Sequence, residues 1–383
     1  MKMMGFLHMF LFCSSFNSMI SDTAAPRPDF APPARGRAAV SNAAGRFDLA
    51  REAQSDGWDS DAGAETARVP TQVTSEAART AITRNTSPDV PFDRSVNPYR
   101  GCEHGCIYCF ARPSHSYLGL SAGLDFETRL IMRPNIAQVL EKELRAKRYR
   151  AAPIAMGTNT DPYQPVERTV ELTRNVIDVL ARFNHPLALV TKGSLIERDI
   201  DLLAPMAERG LVRVGISVTT LDAELSRRME PRAPAPERRL RMIENLSKAG
   251  IPVRVMLAPV IPGLTDREIE AILTRAREAG ATSASRILLR LPREVATLWT
   301  EWLGVHFPDR AQRIMGLVRE MHGGRDYDPR FGHRMEGQGV HADLIAQRFR
   351  LFVKRLGYQT QEPALRSDLF AVPPGPGDQL SLF

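Results

Sequence analysis

Between about residues 97 and 356, short aliphatic runs alternate with amphipathic stretches, and this alternation most constrains the fold. The strand candidates are Pro153–Met156, Pro186–Thr191, Val212–Val218, Pro252–Leu257 and Arg286–Leu289, with a weaker one before Cys102. Between them lie helical periods over Asn135–Arg148, Glu167–Phe183, Ile196–Arg209, Pro236–Ala249 and Thr265–Ala279. In Glu167–Phe183, Leu172, Val176, Val179, Leu180 and Phe183 share one face. Gly210, Gly250 and Gly280 stop three of these helices just past their last turns, where a left-handed residue is wanted. Alternating units of this length require parallel strands joined by right-handed crossovers. The expected class is α/β, a partial (β/α)6 TIM-type barrel; a doubly wound sheet is the alternative.

The flanks differ. Residues 21–89 are rich in Ala, Pro, Gly, Arg, Ser and Asp, show no period, and are expected to be largely without order, with parts lying on the folded body. The expected organisation is a largely disordered N-terminal region over 1–94, the barrel over 95–291, helices over 292–357 (Arg293–Leu303, Pro308–Met321 and Val340–Leu356) and a flexible tail over 358–383. No apolar run reaches the roughly 18 residues a spanning helix needs, so no membrane partner is expected. The apolar start, Gly5–Phe12 after Lys2, is taken as a chance feature or an early start codon, with Met19 as the alternative start, rather than a secretory leader. The expected setting is cytoplasmic. The net charge of +7 mildly favours a polyanionic partner.

Four cysteines occur: Cys13, Cys102, Cys106 and Cys109. Three within eight residues make a poor disulfide framework and a good set of soft ligands. The run Cys102-Glu-His-Gly-Cys106-Ile-Tyr-Cys109 can hold three irons of a [4Fe-4S] cluster, leaving one iron without a protein ligand. The alternative is zinc completed by His104 or His115. The spacing C-x3-C-x2-C, with Tyr108 before the last cysteine, resembles the radical S-adenosylmethionine enzymes. Asn97–Cys102, Gly157–Asp161, Val190–Gly193, Ile216–Thr220, Glu230–Pro234 and Ala258–Asp266 extend the resemblance to the spore photoproduct lyase-like branch.

The resemblance implies that Cys102, Cys106 and Cys109 bind the cluster, that S-adenosylmethionine chelates the open iron, and that one electron releases a 5′-deoxyadenosyl radical. It also implies a one-electron reductase as partner. In a parallel βα fold the working loops follow the strand C-termini. The candidates for holding S-adenosylmethionine are therefore Gly157, Thr158 and Asn159 for its amino group, Lys192 for its carboxylate, Ser217, with Thr219 beside it, for the ribose, and Ile261 and Tyr108 for adenine. Lyases of the branch use a cysteine near the second strand end as hydrogen donor. Here that segment, Ala155–Asp161, has no thiol, and Tyr163 or Tyr117 is the substitute candidate.

Arginines of Arg145–Arg150 and Arg227–Arg232, with Arg238, Arg239 and Arg241, are candidates for phosphate contacts. The C-terminus, Gln379-Leu-Ser-Leu-Phe383, resembles the bacterial sliding-clamp-binding motif: Gln379 would fix register, and Leu380, Leu382 and Phe383 would fill an apolar groove. Ser367-Asp-Leu-Phe370 reads as an incomplete second copy. The expected function is a radical enzyme of nucleic-acid repair or modification. Its alternatives are a radical enzyme acting on a protein or small molecule, and a non-catalytic iron–sulfur or zinc protein that binds nucleic acid.

Overall fold

Short strands rich in Val, Ile, Leu and Ala pair side by side at the centre of the sheet, a composition that suits strands covered by helices. The computed structural model describes residues 35–42 and 69–375; Cys13 and the peptide Gln379–Phe383 lie outside them. The strands are β1 (Gln72–Ser75), β2 (Ile82–Arg84), β3 (Arg94–Val96), β4 (Tyr99–Arg100), β5 (Arg129–Met132), β6 (Ile154–Met156), β7 (Leu187–Thr191), β8 (Val212–Ser217), β9 (Val253–Val260) and β10 (Ser283–Leu288). The main sheet runs β10-β9-β8-β7-β6-β3-β2. Its strands β3, β6, β7, β8, β9 and β10 pair in parallel, and β2 pairs antiparallel to β3. This is the expected partial barrel of six βα units. A small sheet, β1-β5-β4, stands beside it.

The helices are α1 (Leu124–Thr128), α2 (Ile136–Leu144), α3 (Glu167–Val170), α4 (Leu172–Arg182), α5 (Ile200–Glu208), α6 (Ala223–Met229), α7 (Pro236–Lys248), α8 (Ile269–Glu278), α9 (Glu294–His306), α10 (Pro308–Met321) and α11 (Val340–Arg355). Val212, Val214 and Ile216 of β8 are buried with Leu240, Ile243 and Leu246 of α7 in one core. Among the described residues no helix is long and apolar enough to cross a membrane.

The structure departs from the sequence reading in three places. The single helix expected over Glu167–Phe183 breaks at Glu171, whose φ is 51°. The buried Glu167 carboxylate causes the break: it accepts the amides of Thr173 (3.0 Å) and Arg174 (3.3 Å), and so caps a second helix.

Residues 69–94, expected to be largely without order, carry β1 and β2. Side chains of α2 and its entry capture their backbone: Asn135 accepts the Ala78 amide at 2.7 Å, and Glu143 accepts those of Ala81 and Ile82 at 3.0 and 2.9 Å.

Residues 359–373, expected to be a flexible tail, run across the N-terminal edge of the sheet. The Gln359, Arg366 and Ala371 amides donate to the carbonyls of Thr282, Gly210 and Phe183. Glu362 pairs with Arg213 of β8 and Arg254 of β9. Phe370, read as part of a second clamp peptide, packs on Phe183 and His185 with centroids 6.2 and 5.6 Å away. Its apolar surface is satisfied within its own chain, which removes it as a free peptide anchor.

Candidate metal and cofactor site

The cysteine run leaves β4 and crosses the C-terminal end of the barrel. Gly101 and Gly105 take φ of 78° and 64°, which lets the loop turn tightly. Two long-range bonds fix its path: the Cys102 amide donates to Phe126 O (2.9 Å) and the Ile107 amide to Met229 O (3.0 Å). Arg112 is fully buried and holds the loop from behind, donating to Cys106 O at 2.9 Å and Gly105 O at 3.0 Å. Arg112 also meets Glu127 Oε1 at 2.6 Å.

The three cysteines carry thiols, with Cys102 and Cys106 buried and Cys109 partly so. Burial pushes the Cys102 thiol well up, and the neighbouring Cys106 and Cys109 add to it. Burial likewise pushes Cys106 up to about 12, with Lys192 opposing. Three thiols within eight residues, two of them buried and hard to ionise by themselves, suit a strongly cationic group, because coordination deprotonates a thiol outright. Among the described residues no three His, Cys, Asp or Glu side chains stand close enough to hold a single ion. Of the histidines considered as a zinc ligand, His104 has Nδ1 3.2 Å from Asp161 Oδ2, and His115 has Nε2 2.9 Å from Arg129 O.

Beside the thiols lies a charged cluster. Tyr108 is buried and donates its hydroxyl to Glu230. Thr219 donates to the same carboxylate at 2.8 Å, and Arg239 forms a buried ion pair with it. Burial by itself would raise Glu230, but Arg239 and Lys192 outweigh it and hold the carboxyl at about 2. Lys192, partly exposed at the end of β7, has its ammonium 5.8 Å from the Tyr108 ring centroid. Burial would lower the Lys192 ammonium, but Cys106 and Glu230 outweigh this and raise it, so it is a cation.

The loop Gly157–Asp161 is held against β7. A side chain on Gly157 would stand 1.9 Å from Val190 O, so only glycine fits. Asp161 accepts from Thr191 Oγ1 at 2.5 Å and the Lys192 amide at 2.8 Å. Thr158 and Asn159 are half-buried on this loop. Ser217 is buried, and its carbonyl accepts from Arg239 at 3.2 Å. Ile261 belongs to the same apolar cluster as Tyr108 and Cys106.

Of the two tyrosines considered as hydrogen donors, Tyr163 is buried with its hydroxyl given to Asp199 at 3.0 Å. Tyr117 is 67% exposed and accepts from Arg293 at 3.1 Å. Five of the basic side chains read as phosphate contacts pair within the chain: Arg145 with Glu141, Arg228 with Glu224, Arg232 with Glu103, Arg238 with Glu197 and Arg239 with Glu230. Next to Cys109 in the chain, exposed Phe110 lies under Arg290 (4.6 Å); exposed Phe331 lies under Arg334 (4.7 Å), which also pairs with Asp89.

Glu230, Arg239 and Asp161 were missed as site residues. In the sequence Glu230 opens the segment Glu230–Pro234 with nothing to mark it as buried, and Arg239 reads as one of several surface arginines.

A family model described as the radical SAM superfamily matches residues 96–276. An uncharacterized protein of Mycobacterium tuberculosis strain H37Rv and another of Mycobacterium bovis are each 40% identical over 232 residues, 60% of this chain and 68% of theirs. An uncharacterized protein of Methanocaldococcus jannaschii is 27% identical over 174 residues, 45% of this chain and 62% of its own. Among solved structures, spore photoproduct lyase complexed with a dinucleoside spore photoproduct superposes with a TM-score of 0.55 at 14% identity, covering 75% of this chain and 80% of that one. At that identity the likeness is one of fold.

Proposed function

The chain belongs to the radical S-adenosylmethionine superfamily, and on that premise we propose that it is a radical enzyme acting on nucleic acid, with Cys102, Cys106 and Cys109 holding a [4Fe-4S] cluster. When bound, the cluster and S-adenosylmethionine supply a 5′-deoxyadenosyl radical, at the cost of one electron from an external reductase. The protein's part is to bind and orient. Lys192 offers its ammonium to the methionine carboxylate. Glu230 takes up the charge of Arg239, so that Lys192 stays available. Gly157, Thr158 and Asn159 present backbone and side-chain oxygens to the amino group, Ser217 lies toward the ribose, and Tyr108 and Ile261 form one apolar wall for adenine.

The observation that supports the nucleic-acid reading is exposed Phe110, directly after Cys109, with Arg290 over its ring. Bases stack on such rings while guanidinium groups meet phosphates. A labelled single-stranded oligonucleotide titrated against the protein at several salt concentrations tests it. Binding that weakens steeply with salt and is lost in Phe110→Ala/Arg290→Ala supports the reading. Salt-independent binding, or no binding alongside active release of 5′-deoxyadenosine, sends the substrate to another class. We also propose that Gln379–Phe383 binds a bacterial sliding clamp, to be tested by calorimetry of that peptide against the clamp; equal binding by a Leu382→Ala/Phe383→Ala peptide defeats it.

A further inference from the structure

We infer that residues 35–42 form a latch that holds the cysteine loop in place, closing on the buried carboxylate of Glu127. This rests on the three cysteines being the cluster's ligands. Glu127 is fully buried. Its Oε2 accepts the Ala38 amide at 3.1 Å, and its Oε1 accepts the Ala39 amide at 3.0 Å. Arg37 donates to the carbonyl of Glu127 at 2.7 Å. On its other side Glu127 holds Arg112, the residue that grips Gly105 O and Cys106 O. A buried carboxylate needs its donors, because an unsatisfied one costs several kcal/mol. The latch therefore supplies two of the three donors that hold the Glu127 carboxylate, and through it Arg112, in position.

A second connection reaches the loop between two cysteines. Arg37 Nη2 donates to Val69 O at 2.9 Å and to Thr71 Oγ1 at 3.0 Å. Thr71 donates to Glu103 at 2.7 Å, and Arg232 pairs with Glu103 at 2.9 Å. The fit is also steric. A side chain at Gly123 would stand 2.2 Å from Ser41 O, and one at Gly105 would stand 2.7 Å from Glu127 Oε2. The groove is thus cut to the width of a bare backbone on both sides of the carboxylate. Ser41 and Asn42 then fasten the far end, donating to Glu301 (2.7 Å) and Asp125 (3.1 Å).

The test uses the full chain. Ala38→Pro removes one amide that Glu127 accepts, and Gly123→Ala pushes against Ser41 without touching Glu127. Two rates are read: transfer of iron from the anaerobically reconstituted protein to a ferrous chelator, and hydrogen exchange of the amides of residues 102–109 before reconstitution. Both should rise about tenfold in Ala38→Pro and Gly123→Ala, the scale of one lost hydrogen bond to a charged group, while exchange in β7 and β8 stays at the wild-type rate. Wild-type rates in both variants overturn the latch. So does an equal acceleration in β7 and β8, which marks general destabilisation. A wild-type chain that takes up no iron defeats the cysteine assignment instead, and the exchange data still judge the latch.

Discussion

Replacing Glu230 by Gln should cost about 3 kcal/mol at neutral pH, and the cost should shrink in acid. The carboxyl sits at about 2 against an ordinary 4.5. Burial pushes it up, and the Arg239 and Lys192 charges together with the Arg239 and Tyr108 hydrogen bonds pull it further down. A difference of that size corresponds to about 3 kcal/mol favouring the ionised folded state. A second route gives a similar figure: removing one partner of a buried ion pair costs about 3–5 kcal/mol, because the other charge is stranded. Here the stranded charge is Arg239, whose side chain is 1% exposed. The sign follows from proton counting. Between the two values the unfolded chain binds the proton and the folded chain does not, so this stability is complete above the ordinary value and is lost as pH falls toward about 2. Guanidinium unfolding of wild type and Glu230→Gln, without the cluster, should show a gap at pH 3 about 2 kcal/mol smaller than at pH 7. Comparing the two proteins cancels the other carboxylates, which titrate in both. A gap below about 1 kcal/mol at pH 7, or one that does not narrow in acid, would refute the reasoning.

Replacing any one of Cys102, Cys106 or Cys109 by Ala should abolish the visible absorption that anaerobic iron and sulfide reconstitution gives the wild type; a full spectrum in any of the three removes that residue from the ligand set. Lys192→Met should weaken S-adenosylmethionine binding about thirtyfold, the scale of one charge-assisted hydrogen bond, without altering iron content; equilibrium dialysis of the reconstituted protein reads this. Phe370→Ala should cost about 2 kcal/mol in chemical denaturation, since its ring packs on Phe183 and His185; no loss would mean that the tail contributes nothing across the sheet edge.

Strands β6 to β9 were legible because each is a short apolar run, a signal contained within a few neighbouring positions, whereas β3 (Arg94–Val96) and the start of β10 (Ser283) carry polar residues and gave only a weak or shifted signal. Val212–Ser217 and Leu187–Thr191 needed nothing distant to identify them. The cysteine loop was legible for the same reason, all three sulfurs lying within eight residues. Order in residues 69–94 was not, because it comes from Asn135 and Glu143, roughly sixty positions away. The Leu369-Phe370 pair shows the converse error. Local composition made it a free apolar peptide, but whether an apolar pair docks on its own chain depends on Phe183 and His185, which no local pattern reports.

The missed site residues share a cause that is chemical as well as topological. Glu230 gains its character from Tyr108, 122 positions earlier, and from Arg239 on the next helix. Glu127 gains its own from Ala38 and Ala39, nearly ninety positions earlier. In a strand or helix pattern a charged residue registers only as a polar position, and a polar position is assigned to solvent. These carboxylates are buried, and each pairs with an arginine that is itself buried: Arg239 with Glu230 and Arg112 with Glu127. Such pairs are costly to bury, so a fold retains them where a fixed charge or a fixed loop is needed. Both pairs flank the cysteine loop. Arg112 holds the loop's carbonyls from behind, and Glu230, paired with Arg239, takes the hydroxyl of Tyr108 within the cysteine motif.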